Sequence, residues 1–556
     1  MDERQALLDS PELADDEIVA YVQQRRASIA LAGTTKIPSV FQLTPKRSRQ
    51  SLDSHAHVSH HELLNDLLLV HLSTMLGEPR TSMWTETRTL LKYSVPLIIT
   101  FLLQYSLTVA SVFSVGRLGP TELAAVSLSS MTANISGYAI IQGVSTCLDT
   151  LCAQAYGRRD FNTVGLHFVR CTYLLMLCYV PMLVLWMFFS EPILLFLVGE
   201  EKHQLVTLAS RYLQILSLGL PGFIVFENLK HFLQSQGIFH ASTYVLLFCA
   251  PMNAFLNYFL VWNKHVGLGF EGAPLSVVIT NWVMCAALWC YTKYIDGYEC
   301  LPRQQLLHKT YFTNWQRMIN LSVPGVLMVE AEWLAFEIIT FIASTFGTEV
   351  LAAQSIVSTT CVLLYQIPFA LSITASTRIA WYIGAASKKA ALVATRASMY
   401  TAMCFGVVNA AVLFSFRDFF ASLFTDDPIV LDIASKVLIV GAVYQINDFL
   451  ACTTGGILRG QGRQKIAGYL NLVSYYVIAL PTAIFFAFYL ELALIGLWMG
   501  MIIALLFVSL SQTYFVVASD WDAIITECIE EGVAEDGVLN IEATALVPAM
   551  LSNHLV

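Results

Sequence analysis

Apolar runs of about 20 residues, each long enough to cross the roughly 30 Å hydrocarbon core of a bilayer as a helix, recur about twelve times along this chain. They fall near 90–115, 121–146, 164–189, 206–229, 241–262 and 272–294, then near 318–345, 351–376, 391–415, 433–457, 467–489 and 494–518. Backbone groups inside lipid must bond internally, so runs of this length mean helices; barrel strands would be about ten residues long and alternating. Composition agrees, with 56% hydrophobic and 13% charged residues and a mean hydropathy of +0.62, against about 25% charge in soluble domains. An all-α polytopic membrane protein is expected.

Lys and Arg in short loops set the orientation. One set of loops holds Arg158, Arg159, Lys230, Lys293, Arg303, Lys309, Arg317, Arg378, Lys388, Lys389, Arg459, Arg463 and Lys465, whereas the alternate set holds little beyond Arg117, Lys202, Lys264 and Arg417. Both termini are therefore expected to be cytoplasmic. The net charge of −9 says little about partners, since acids hardly affect topology, and nothing points to nucleic acid. Most of the 12 Cys lie inside apolar spans and read as packing residues. Cys147 and Cys152 lack zinc-ligand spacing, so no metal or cofactor is expected.

Residues 1–85 read as a polar, mostly disordered cytoplasmic tail without an apolar signal region after Met1. Within it, 59–76 opens with a Ser59–Glu62 capping box and reads either as an amphipathic helix on the membrane face or as a leader into the first span. His55, His57, His60 and His61 cluster there without a rigid frame for a metal. DERQALL, with Glu3 four residues before Leu7 and Leu8, resembles the acidic dileucine address read by adaptor complexes.

The chain also repeats itself. SVP at 94–96 returns at 322–324 and LAA at 123–125 returns at 351–353, both offset by 228; Gly157 finds Gly384, and QSQG at 234–237 finds RGQG at 459–462. Two six-helix halves in the same orientation follow: an N-lobe over 86–295 and a C-lobe over 296–518, with a cytoplasmic tail over 519–556. Parallel repeats around a cavity suit a transporter that rocks one half against the other.

The repeat exposes an asymmetry. VEAEWLAFEIITF, 329–341, carries Glu330, Glu332 and Glu337 inside an apolar span, whereas the matching positions of the first half are Leu102, Gln104 and Val109. A carboxylate held at bilayer depth costs roughly 2.5–3.5 kcal/mol, so three of them call for a use. Desolvation disfavours the charged form and lets a Glu load and unload protons near neutral pH. Close acids titrate as a set. Protonated, they tolerate an occluded cavity; deprotonated, they attract a cation, which is the logic of antiport. Two pH units would supply about 2.7 kcal/mol per proton. At about 100° per residue, Glu330 and Glu337 share a face while Glu332 points about 140° from Glu337.

GRLGPTELAAVSL, CLDTLCAQAYG, EWLAFE, YQIPFALSITASTR and FLACTTGGILRGQGRQK, in that order, resemble the signatures of the multidrug and toxic compound extrusion (MATE) family over roughly 88–515, in its eukaryotic branch. The resemblance implies twelve helices in two pseudo-symmetric bundles around a V-shaped cavity and efflux or sequestration of organic cations and metabolites in exchange for protons. It implies coupling roles for Glu332 and Glu337 of the seventh helix and for Asp448 of the tenth, where many relatives have Glu. Glu330 lies outside the family pattern.

Other polar residues in the spans keep two readings. Glu227 either pairs locally with Lys230 and His231 or forms a second proton site; Asp149, aligned with Ser376, caps or latches its lobe. Gln104, Asn134, Trp333, Tyr365 and Gln366 line the cavity or serve helix packing. GRLG and GGILRG lack the lysine and loop of a nucleotide-binding P-loop. The expected function is a monomeric, proton-coupled exporter of small organic molecules, not an enzyme, in the vacuolar or plasma membrane. A flippase of lipid-linked intermediates is the alternative, and a membrane-embedded enzyme the remote one.

Overall fold

The computed structural model describes residues 81–199, 202–263, 267–302 and 308–532, so the tail with Glu3, Leu7, Leu8 and 59–76 lies outside the described residues. The first half contains α1 (Met83–Gly116), α2 (120–157), α3 (Phe161–Phe196), α4 (His203–Ser217), α5 (Leu220–Ser235), α6 (Ala241–Trp262) and α7 (Gly269–Tyr294). The second contains α8 (Gln316–Ala343), α9 (Thr348–Gly384), α10 (Lys388–Ser415), α11 (Pro428–Gly460), α12 (Gln464–Tyr489) and α13 (Ala493–Val517), followed by α14 (521–532). No strand forms among the described residues.

Nine of these helices are long and apolar enough to cross a membrane among the described residues, and ten if α4 and α5, bent by 55°, make one span. Two expected spans stand outside that set. α2 is interrupted by a π-turn at Asn134–Tyr138 and again at Thr146, and α8 carries the three glutamates.

Local signals explain where helices begin and end. Ser82 caps α1 by accepting from the Thr85 amide at 3.2 Å, and Asp427 caps α11 with Pro428 at its first position. The repeat survives in the turns. α2 and α9 both end on a left-handed residue, Arg159 at φ 62° and Ala386 at φ 53°, each followed by an amide that closes back five residues, Asp160 to Ala155 and Ser387 to Tyr382. α5 and α11 end the same way on Gly237 and Gly462, at φ 83° and 76°.

The two largest apolar cores among the described residues come from residues 115–321 and 331–508. The halves close against each other at the end that holds these turns. A Cβ on Gly157 would lie 2.3 Å from the Trp381 carbonyl oxygen, and one on its repeat mate Gly384 would lie 2.1 Å from that of Gln154. Neither position has room for a side chain, so backbone meets backbone across the seam. Hydrogen bonds run alongside: Thr150 donates to the Arg459 carbonyl at 2.6 Å, Gln154 to the Gly460 carbonyl at 3.2 Å, and the Trp381 indole to the Ser235 carbonyl at 2.7 Å. At the margin Arg378 of α9 binds Glu86 of α1 through two bonds of 3.1 and 2.7 Å, both side chains buried. α14 lies over this end, with Trp521, Ile524, Ile525 and Cys528 packed on Ile379, Tyr382 and Ile457. It reaches the first half through Arg158, which donates to the Cys528 carbonyl at 3.3 Å.

Candidate functional site: acids inside the second half

α8 is held against its neighbours just before the acids. Asn471 of α12 donates to the Met328 carbonyl at 3.4 Å, Gln512 of α13 donates to Asn471 at 3.2 Å, and Thr454 of α11 donates to Gln512 at 2.9 Å. This chain of polar bonds fixes the four helices at one depth. Two and four residues beyond Met328 come Glu330 and Glu332, both partly buried.

The two point to different surroundings, as helical spacing predicts. Glu332 turns toward α11 and lies within electrostatic reach of Asp448, which is 2% exposed. Tyr365 of α9, Tyr444 of α11 and Tyr475 of α12 feel both acids, as does Cys452 one turn along α11. Glu330 instead lies within electrostatic reach of Tyr476. Glu337, also partly buried, has no ion-pair partner among the described residues and stands apart from the Glu332–Asp448 pair.

An aromatic frame backs the pair. Tyr444 packs edge-on against Trp498 at 5.5 Å, Phe336 packs against both, and the Trp498 indole donates to Gln354 at 2.8 Å. On the other side Asn409 donates to Gln445 at 2.9 Å. Tyr365 stacks on Phe369, which meets Phe101 of the first half at 4.9 Å.

The contrast with the other buried acids is informative. Glu86 has Arg378; Glu227 has Lys230 at 2.5 Å; Asp149 has His231 at 2.6 Å and Arg459 at 3.3 Å. Neither Glu332 nor Asp448 has a cation within ion-pair distance among the described residues, and Asp448 Oδ2 is buried without a hydrogen-bond partner. Two neighbouring carboxyls without a counter-charge repel when both are ionised, so the site is balanced by a proton or by a cation from outside.

The remaining sequence candidates are dispersed. Gln104 and Trp333 are partly buried, Asn134 is exposed on the π-turn of α2, and Gln366 donates to the Val362 carbonyl of its own helix at 2.9 Å. Glu227 takes the local-pairing option, and Asp149 latches the two halves through Arg459. Sequence reasoning missed Tyr444 and Tyr475, which read as packing residues in apolar runs. Their spacing on neighbouring helices gave no sign that both would meet the acids.

The crystal structure of the eukaryotic MATE transporter AtDTX14 superposes with a TM-score of 0.75 and 25% identity, covering 81% of this chain and 99% of its own. The class is thus a multi-pass membrane transporter. The MatE family model matches residues 96–259 and 324–485, and the chain belongs to that family. An uncharacterized transporter of Saccharomyces cerevisiae is 38% identical over 93% of this chain and 73% of its own length. Protein DETOXIFICATION 16 of Arabidopsis thaliana is 30% identical over 81% of this chain and 91% of its own.

Proposed function

We propose that this MatE-family transporter is a proton-coupled antiporter that exports or sequesters small organic cations by alternating access. The observation that carries the reading is the pair of partly buried Glu332 and buried Asp448, with no cation in ion-pair distance among the described residues. A proton or a cationic substrate satisfies that site, and each displaces the other. Tyr365, Tyr444 and Tyr475 supply hydroxyls and ring faces suited to an organic cation. The family relation to multidrug and toxin extrusion proteins, such as the human one that is 29% identical over 78% of this chain, favours outward transport.

The cluster of Arg158, Arg159, Lys388, Lys389, Arg463 and Lys465 at the sealed end supports a cytoplasmic location for it. α2 and α8 touch at Gly143 and Val326, and alternating access requires the halves to part at the opposite side when this end is sealed. The twelve-span arrangement counts α2 and α8 as spans and takes 86–295 and 296–518 as the rocking lobes. The membrane is either the vacuolar or the plasma membrane, and the tail motif at Glu3, Leu7 and Leu8 favours an adaptor-sorted route to the vacuole. Uptake of labelled tetraethylammonium and a panel of other organic cations into sealed vesicles tests the reading. Accumulation should follow an imposed pH gradient; accumulation of every cation unchanged after the gradient is collapsed would refute it.

A further inference from the structure

α1 and α10 belong to different halves, both start at the sealed end, and pack on each other around Leu90, Ala397 and Ala402. Each turns a stripe of side chains outward. Trp84, Arg88, Lys92, Val95 and Ile99 are exposed on α1, and Arg396, Tyr400, Met403 and Val407 are exposed on α10. Steps of three and four residues put each set on a single helix face. At about 1.5 Å per residue, Arg88, Lys92 and Arg396 stand roughly 8, 14 and 12 Å along their helices. Trp84, 76% exposed, marks the depth of a membrane interface beside them.

These three cations have no ion-pair partner among the described residues. Glu86 of α1 is bound to Arg378, Asp522 is bound to Lys388, and α10 itself contains no acid. The repeat supplies a comparison within the same chain. In the register that pairs SVP with SVP, Arg88 and Lys92 correspond to Gln316 and Asn320 of α8, which bond each other at 3.1 Å. In the register that pairs Gly157 with Gly384, Arg396 corresponds to Val169 of α3, which is buried. The connector between the halves covers α3 there: Arg170 donates to the Thr310 carbonyl at 3.0 and 3.2 Å, and Tyr173 stacks on Phe312 at 5.0 Å. The mate positions thus lack all three charges, whereas the outward stripes of α1 and α10 carry them.

A basic face between membrane helices on the cytoplasmic side matches an acidic lipid headgroup. Lys and Arg lay their stems along apolar surface and carry the charge to headgroup depth, and a guanidinium fork suits phosphate oxygens. We propose that the α1–α10 junction binds an anionic phospholipid of the cytoplasmic leaflet, its headgroup held by Arg88 and Lys92 from one half and by Arg396 from the other. Val95, Ile99, Met403 and Val407 receive its chains. This rests on the alternating-access reading and on the sealed end being cytoplasmic. The site is whole only while α1 and α10 stay together, so the lipid binds the sealed state more tightly and shifts the equilibrium toward it.

The test is retention of phosphatidylserine by the full chain, purified in neutral detergent and read by native mass spectrometry against phosphatidylcholine with the same acyl chains. A charge near an anionic headgroup contributes about fivefold to binding, so Arg88→Gln, Lys92→Gln and Arg396→Gln should each weaken phosphatidylserine about fivefold, and all three together about 100-fold. Lys309→Gln, which removes an exposed cation on the connector, should leave retention unchanged. Equal retention of the two lipids, the result expected if neutral lipid or the chain's own tail covers this face, overturns the proposal. A loss in Lys309→Gln as large as that in Arg396→Gln, which would mean diffuse attraction, also overturns it. In lipid discs, phosphatidylserine in place of phosphatidylcholine should enlarge the short-distance population between spin labels at Asn162 and Lys465 in the wild type and not in the triple variant. A wild-type distribution that ignores the lipid overturns the bridge between the halves. Binding is read without transport, so its failure leaves proton-coupled exchange standing.

Discussion

Alanine at Gly384 should force the seam open. Its Cβ would stand 2.1 Å from the Gln154 carbonyl oxygen and 2.9 Å from the carbonyl carbon. Real Cβ contacts essentially never fall below 3.0 Å, so α2 and α9 must part by roughly 1 Å, and backbone on both sides prevents a side chain from swinging away. Overpacking of this kind costs about 1–3 kcal/mol. The cost falls only on the closed seam, so it shifts the ratio of sealed to open protein by about 5- to 150-fold while the open state keeps its own stability. The distance between spin labels at Asn162 and Lys465, exposed residues on opposite halves at this end, reads this directly, as a longer-distance population that grows in Gly384→Ala. Gly116→Ala serves as the control, because its Cβ meets only the Leu123 side chain, at 3.5 Å. A folded Gly384→Ala protein with the wild-type distance distribution would refute the claim that glycine contact sets how closely the halves approach.

Three further outcomes are expected. Glu86→Gln leaves Arg378 buried without its carboxylate and should cost about 3–5 kcal/mol, seen as a lower Tm, while Glu86→Gln with Arg378→Met should recover much of the loss. Truncation before 521 removes the buried Trp521, Ile524, Ile525 and Cys528, so the second half should unfold at lower temperature and the seam should open more readily. Asn471→Leu strands Gln512 and frees the Met328 carbonyl, at a cost of about 1–3 kcal/mol by thermal unfolding.

Much of the architecture was legible in the sequence because membrane chemistry leaves few options. Apolar length gave helices, and the offset of 228 gave an internal repeat. The matching left-handed turns at Arg159 and Ala386 carry that repeat into backbone geometry. The acids of α8 were visible because charge inside an apolar run is costly, and the 140° between Glu332 and Glu337 already implied different walls. The pairing of Glu86 with Arg378 was not visible. Its partners are 292 residues apart, and Arg378 read as one more loop cation although it sits within the run LSITASTRIAWYIG. Likewise, Tyr444 and Tyr475 are ordinary aromatics until α11 and α12 are packed together, and the seam of glycines depends on a contact between halves that no local pattern encodes.

Competition between a proton and a cation for the Glu332–Asp448 pair is the central claim, and proton release on ligand addition measures it most directly. Purified protein in weakly buffered solution with a pH-sensitive dye is titrated with tetraphenylphosphonium near the pH where the coupled acids hold a proton. The wild type should release about one proton for each cation bound. Glu332→Gln with Asp448→Asn should release none. Equal proton release from wild type and the double variant, with the cation bound in both, would contradict the account.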